Sequence, residues 1–239
     1  MKYIINNSTD PYFNMAFDEY CLEAFEGQEL FCIWRNEPSV ILGCNQDAEM
    51  EVDLDYCREN NISIVRRCTG GGMVFHDLGN VNFSFIGNAN DLHFTERVKD
   101  KLISALSTFG IDAVTTARND LFVEGKKFSG TAVRLSDKNI LYHGTLLFDA
   151  DLQQIKKVSN KQTGKIIRKA VASQPSDVTN LLPYINIKMS VEQFMQELQD
   201  TLATTDGQLI QLTSEQIYAI NQLADSKYRK TEWIYQTNE

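Results

Sequence analysis

The sequence predicts an α/β (α+β) fold with a mixed, largely antiparallel sheet in one domain. Three observations predict it. Val81-Asn82-Phe83-Ser84-Phe85 alternates apolar and polar residues, the period of a strand. Residues 121–148 run as short strand-like segments broken by Glu124-Gly125 and by a polar turn at 136–139, the pattern of an antiparallel meander. Phe13, Ala16, Phe17, Tyr20, Cys21, Ala24 and Phe25 recur at helical spacing, as do Val98, Leu102, Leu106 and Phe109.

Taken in order, residues 2–6 read as a strand. Asp10-Pro11 starts a helix that Gly27 stops. Leu30 to Trp34 and Ser39 to Leu42 read as strands, and Gly43 to Asp47 as loop. Val52 to Glu59 reads as one short helix feeding a strand at 62–67. After a glycine-rich loop come the helix ending at Gly110 and a strand at 113–116. The meander then reads as 121–123, one long strand over 126–134, and 140–148. Residues 156–169 carry Lys156, Lys157, Lys161, Lys165, Arg168 and Lys169 with no acidic residue. They read either as a solvated basic loop or as a loop that closes over an anionic ligand. Capping boxes at Ser190/Gln193 and Thr213/Gln216 open two more helices, with a strand at 209–212 between them.

Composition bounds the function. The chain has 239 residues, 43% of them hydrophobic, enough to bury a sizeable core. Its net charge of −9 disfavours nonspecific binding to nucleic acid or membrane, so a phosphate ligand needs a local basic site. No apolar run reaches membrane-spanning length, and MKYIINNSTDPYF lacks a signal peptide's apolar core. Five cysteines, none in a C-x-x-C pair, fit reduced thiols in the cytoplasm better than disulfides or a zinc site.

The chemistry gathers on Ile62 to Ile86. Arg66 and Arg67 precede three consecutive glycines, Gly70, Gly71 and Gly72. Bare peptide N–H groups can cradle an anion, and arginine holds phosphate bidentately. No Gly-Lys-Ser/Thr follows, which excludes a P-loop, and strand rather than helix follows, which excludes a dinucleotide fingerprint. A hairpin loop without ligand is the plainer reading. Lys127, with Gly125 before it and Ser129-Gly130 after it, can reach a ligand and neutralise a developing oxyanion, or can be one of two exposed hairpin lysines. Arg118-Asn119-Asp120 can bind nucleotide or hold Mg²⁺, or can form an ordinary turn. His76 and His143 are candidate proton relays or core histidines. There is no G-x-S-x-G elbow for a serine hydrolase.

These pieces together resemble the lipoate–protein ligase family along most of the chain. The resemblance rests on Asp10-Pro11-Tyr12-Phe13-Asn14-Met15-Ala16, on Trp34-Arg35-Asn36 through Asn45-Gln46, and above all on residues 66–77, RRCTGGGMVFHD. Arg118-Asn119-Asp120, residues 125–132, His143-Gly144-Thr145 and Val178-Thr179-Asn180-Leu181 follow in the family's order.

The resemblance implies a biotin/lipoate ligase-like catalytic domain spanning 1–239. It implies a two-step reaction in which lipoate, ATP and Mg²⁺ give lipoyl-AMP, whose acyl group then passes to an acceptor lysine. Lys127 becomes the central catalytic lysine. Arg67, Gly70, Gly71, Gly72, Met73, Val74, Phe75, His76, Asn80, Ser129, Gly130, Thr131 and His143 become the lipoyl-AMP site. Asn119 and Asp120 take the nucleotide side, with Asp120 as Mg²⁺ ligand, and Lys169 covers the adenylate.

The implied partners are apo lipoyl domains of 2-oxoacid dehydrogenase E2 subunits or the glycine-cleavage H protein. Two departures qualify this. Cys44 stands where many relatives carry Arg. The chain also ends at Trp233-Ile234-Tyr235, where two-domain ligases continue into an accessory domain, so activation is expected to need a separate partner protein. The rival readings are an ATP-independent octanoyl or lipoyl transferase of the same superfamily, and a non-catalytic lipoate- or adenylate-binding protein.

Overall fold

The computed structural model describes residues 1–116, 120–160, 177–203 and 207–236. Its elements in chain order are β1 (Lys2–Ile5), α1 (Pro11–Ala24), β2 (Leu30–Trp34), β3 (Ser39–Leu42), α2 (Ala48–Glu51), α3 (Leu54–Glu59), β4 (Ser63–Arg66), β5 (Val74–His76) and β6 (Asn80–Asn88). There follow α4 (Phe94–Ser107), β7 (Val114–Thr115), β8 (Leu121–Val123), β9 (Lys126–Ser129), β10 (Thr131–Leu135) and β11 (Asn139–Leu147). The remainder is α5 (Gln154–Val158), α6 (Val191–Ala203), β12 (Gln208–Ile210), α7 (Ser214–Leu223) and α8 (Thr231–Tyr235).

Strand β6 is the spine. It lies between β11 and β2 in a six-stranded sheet of order β10-β11-β6-β2-β1-β12, antiparallel as far as β2 and parallel beyond it. Its alternation sends Val81, Phe83 and Phe85 into a cluster with Phe31, Phe94, Val98, Leu102, Phe194 and Leu198, which docks α4 and α6. Burying one such aromatic contributes about 1.5–3 kcal/mol. The opposite face packs Cys32 and Trp34 against Phe17, Cys21 and Leu22 of α1, with Ile220 and Tyr228 behind them. Asn80, Asn82 and Ser84 belong to this side by the strand's period and are fully buried.

A second sheet, β4-β3-β5, leans on the first and carries the glycine loop between β4 and β5. A third, β7-β8-β9, carries Lys127. The Glu124-Gly125 turn between β8 and β9 has φ of 48° and 77°, the left-handed pair that a tight hairpin requires.

Two expected elements differ. The helix expected at 52–59 forms as α3, starting at Leu54 because Asp53 caps it, and a further short helix, α2, capped by Asp47, precedes it over Ala48–Glu51. The strand expected over 126–134 breaks at Gly130, and its halves join different sheets. That break is functional in its effect, because it places Lys127 at a junction of two sheets. The basic segment 156–169 begins as the end of α5, and its residues 161–169 lie outside the described residues. Both predicted capping boxes form, Ser190 with Gln193 and Thr213 with Gln216. No helix among the described residues is long and apolar enough to cross a membrane. All five cysteines are free thiols.

Candidate active site

The glycine loop is held from beneath by Arg67. The guanidinium is nine-tenths buried and faces the loop's own backbone. Nη2 donates to the carbonyls of Gly70 (2.6 Å) and Gly72 (2.9 Å), Nη1 to that of Ile41 (3.1 Å), and Nε to the Thr69 hydroxyl (3.0 Å). Burial pulls its pKa down to about 10, which still leaves it charged at neutral pH. In a planar trans peptide the C=O and N–H point opposite ways. With the Gly70 and Gly72 carbonyls turned to Arg67, the N–H groups that follow them in the chain point away from Arg67.

Gly71 takes φ +98°, and a Cβ there would lie 2.8 Å from Arg67 Nη2. A Cβ on Gly43 would lie 2.1 Å from the Gly71 carbonyl, so the 43–46 loop braces the glycine loop backbone to backbone. The Cys44 N–H donating to the Thr69 carbonyl (2.8 Å) completes the brace.

From Thr69 a chain of buried hydrogen bonds crosses the site. The Thr69 hydroxyl is 2.8 Å from His143 Nε2, and His143 Nδ1 is 2.7 Å from Asp18 Oδ2. Ser84 donates to Asp18 Oδ1 (2.6 Å), and the Trp34 indole N–H donates to Ser84 (2.9 Å). Arginine and indole only donate and carboxylate only accepts. These partners assign the hydrogen of the neutral ring to Nδ1, and Nε2 then accepts from Thr69. The order Arg67→Thr69→His143→Asp18←Ser84←Trp34 has one direction at every link.

Lys127 stands at the other wall. Its Nζ is 3.0 Å from Asp120 Oδ1, both side chains about three-quarters buried. Segment 177–179 pins its backbone, with the Lys127 N–H donating to the Asp177 carbonyl and the Thr179 N–H to the Lys127 carbonyl, each at 2.9 Å. The ammonium lies 3.5 Å from the position a Gly130 Cβ would take. Gly130 exchanges bonds with Thr145 on β11, two residues after His143. Strand β11 therefore joins the two halves, His143 touching the glycine loop and Thr145 holding Gly130. From β10, Arg134 donates to the Cys68 carbonyl (3.0 Å) and faces Glu19, which also takes Lys227 and the Tyr228 hydroxyl.

Of the residues singled out in the sequence, the structure gathers Arg67, Gly70, Gly71, Gly72, Asp120, Lys127, Gly130 and His143 around this space. Met73 and Phe75 are buried, whereas Val74 is half-buried and packs towards α1. His76, Asn80 and Ser129 each bury a polar atom (Nε2, Oδ1 and Oγ) that finds no hydrogen-bond partner among the described residues. Such atoms mark places that a ligand or water completes. Asn36 donates to His76 Nδ1 (3.1 Å). Burial, then the charge of Arg67, holds the His76 pKa near 3, so this imidazole stays neutral and is no proton carrier at neutral pH. Thr131 opens β10 beside Gly130, whereas Asn119 and Lys169 lie outside the described residues.

Sequence reasoning missed Asp18, Trp34, Thr69, Asn82, Ser84 and Arg134. A signal existed for the strand residues: Asn80, Asn82 and Ser84 alternate with three apolar residues, which places polar groups along one face of a strand.

A glycine loop held by Arg67 and a lysine–aspartate pair, joined through β11 over a buried polar floor, form an arrangement suited to joining a carboxylate to a phosphate. The class so defined is an ATP-dependent acyl ligase. Comparison with known proteins narrows the class. The sequence matches the lipoyl protein ligase A/B catalytic domain over residues 10–203, and the chain belongs to that family. It is 35% identical to lipoate–protein ligase 1 of Staphylococcus aureus over 100% of its own length and 74% of the relative's. It is 34% identical to a lipoate–protein ligase of Bacillus subtilis, covering 98% of this chain and 73% of that one.

Among solved structures, a Thermoplasma acidophilum protein with bound lipoic acid superposes with a TM-score of 0.81 at 26% identity, covering 98% of each chain. A lipoate–protein ligase A bound with ATP gives 0.81 at 26% identity, again over 98% of each chain. A chain from a bi-partite lipoate protein ligase system of Thermoplasma acidophilum gives 0.83 at 25% identity, covering 100% of this chain and 97% of that one.

Proposed function

We propose that the protein joins lipoate to a lysine of an acceptor protein in two steps. A carboxylate oxygen of lipoate attacks the α-phosphorus of ATP and pyrophosphate leaves. The amine of the acceptor lysine then attacks the acyl carbonyl of lipoyl-AMP, loses a proton, and AMP leaves. The observation that carries this reading is Lys127 beside Asp120 at 3.0 Å, joined through β11 to the glycine loop that Arg67 holds.

Charge builds on the α-phosphate oxygens and then on the acyl oxygen. The Lys127 ammonium and the outward N–H groups of the glycine loop are fixed before that charge appears. Arg67 acts through the loop it holds. His143, oriented by Asp18 and Thr69, lines the floor. Mg²⁺ fits the oxygen chemistry of Asp120, which would hold it together with ATP phosphates; when bound it supplies charge neutralisation at those phosphates. Asn119 on the nucleotide side and Lys169 over the adenylate remain assignments from the family resemblance.

The acceptors that fit are lipoyl domains of E2 subunits or the H protein of glycine cleavage, and the compartment that fits five free thiols and ATP is the cytoplasm. Similarity to a chain of a bi-partite ligase system favours a second polypeptide in the activation step.

The test is incubation with lipoate, ATP, Mg²⁺ and each apo acceptor, read as a mass shift on the acceptor. Lys127→Ala lowers kcat by about 10²–10³-fold, the usual effect of removing one preorganised charge-stabilising group. Unchanged turnover in that variant overturns the assignment. Rapid lipoyl-AMP formation by the purified chain alone overturns the need for a second polypeptide. Acceptor modification without ATP, from a carrier-bound acyl donor, selects the transferase reading instead.

A further inference from the structure

Arg66 precedes Arg67 yet faces the opposite way. Its side chain is fully buried, and all its acceptors are backbone carbonyls. Nη1 donates to Gly43 (2.8 Å) and Gln46 (2.6 Å). Nε donates to Trp233 (3.0 Å) and Ile234 (2.9 Å), and Nη2 donates to Ile234 again (2.5 Å). The Trp233 indole N–H returns a bond to the Arg66 carbonyl at 2.9 Å. The Gln236 amide donates to the Cys44 carbonyl. Lys227, bound to Glu19 at 2.6 Å, lies over the Trp233 ring at 4.2 Å and holds its outer face.

Three layers are thus tied in sequence. Helix α8 rests on Arg66, Arg66 on the 43–46 loop, and that loop on the glycine loop through the Cys44–Thr69 bond and the Gly43–Gly71 contact. No substrate atom can reach Arg66, because its donors are enclosed by backbone. A cation at the last carbonyls of a helix is favourable in itself. Here one guanidinium also fixes the register of two loops, a use of a buried charge with precedent in other proteins.

We infer that Arg66 is a positioning residue for the nucleotide cradle, and that α8 is the cradle's foundation. Together they set the height of the Gly70–Gly72 backbone opposite Lys127, and so the affinity for ATP. The inference rests on the glycine loop being the adenylate cradle. Helix α8 lies outside residues 10–203, the span of the catalytic-domain match, so a segment beyond that span braces the loop at its centre.

The experiment compares full-length wild type, Arg66→Lys and Trp233→Phe. Lysine keeps the charge, but its single ammonium cannot span four carbonyls. Phenylalanine keeps an aromatic ring beneath Lys227 while removing the indole N–H and part of the ring's packing. Amide hydrogen exchange is followed at residues 69–73, without ligand, alongside steady-state kinetics.

In Arg66→Lys, exchange at 69–73 quickens and KM for ATP rises, each by about tenfold, the size of a lost charge-assisted hydrogen bond. In Trp233→Phe both move the same way by about threefold. KM for lipoate and kcat stay within about threefold, the split expected when nucleotide binding alone is loosened. Unchanged exchange at 69–73, with quickening confined to 231–236, overturns the inference. If Arg66→Lys fails to fold, Trp233→Phe decides by the same criterion. Altered loop exchange in a protein whose wild type binds no ATP removes the adenylate reading and leaves the tie standing. Normal ATP-dependent lipoylation with unaltered loop exchange removes the tie alone.

Discussion

Asp18 and His143, 125 residues apart, meet in the buried floor of the site with Oδ2 2.7 Å from Nδ1. The pair is closed on both sides, since Ser84 takes the second carboxylate oxygen and Thr69 the second ring nitrogen. Asp18 is therefore the residue that decides which nitrogen of His143 carries hydrogen.

Asp18→Asn is expected to reverse that choice. An amide placed against Nδ1 donates, so the hydrogen moves to Nε2 and meets the Thr69 hydroxyl, itself turned by Arg67. Nitrogen-15 spectra of histidine-labelled protein should show the exchange of tautomers. Stability should fall by about 1–3 kcal/mol, the effect of breaking one buried charged hydrogen bond. An unchanged tautomer would show that Thr69, not Asp18, is in control.

Gly43→Ala and Gly70→Ala should differ sharply. The first places a methyl group 2.1 Å from a backbone oxygen, where neither partner can yield cheaply, whereas the second meets nothing within 4 Å. Gly43→Ala is expected to lose about 1–3 kcal/mol in urea denaturation. Gly70→Ala should keep its stability and lose ATP affinity, because only the ligand side of the loop is altered. Equal stability of the two variants would remove the close contact of the loops.

His76 gives the fold an acid-sensitive edge. Its folded pKa is held near 3 against an ordinary value of 6.5, chiefly by burial. Between those values the unfolded chain takes up a proton that the folded chain refuses. This contribution is complete above pH about 6.5 and declines as pH falls towards about 3, with a slope approaching 1.4 kcal/mol per pH unit. Urea midpoints measured from pH 7 to 4 should fall more steeply for wild type than for His76→Asn. Parallel curves would contradict the buried neutral ring.

The thiols divide by access. Cys21, Cys32, Cys57 and Cys68 are buried and Cys44 is half-buried. Burial lifts Cys57 and Cys68 to about 11 and Cys21 and Cys32 well above their usual value. A disulfide reagent added to the native protein should titrate one thiol quickly and the other four only on unfolding. Two fast thiols would place Cys68 in reach of solvent and reopen a thioester mechanism.

Much of the architecture was legible in the chain because it is written locally. The caps at Asp10, Ser190 and Thr213, the left-handed Glu124-Gly125 turn and the alternation along β6 are all short-range signals. Lys127 was legible because small residues flank it. The division at Gly130 was not, since a strand that changes sheets keeps one unbroken pattern. Asp18 escaped because an acidic residue on an amphipathic helix normally faces solvent. Only the distant His143 and Ser84 explain its burial. The two arginines looked alike in sequence, and only the positions of Gly70, Gly72, Trp233 and Ile234 tell them apart.

The tie at Arg66 also fixes an order of assembly. Its partners Trp233 and Ile234 lie 167 and 168 residues further along the chain. Strand β1 likewise waits for β12, pairing Lys2 with Gln208. A chain emerging from the ribosome N-terminus first holds Arg66 as an uncompensated charge until Trp233 and Ile234 follow. The two loops that Arg66 ties together therefore reach their final register only after α8 has been made.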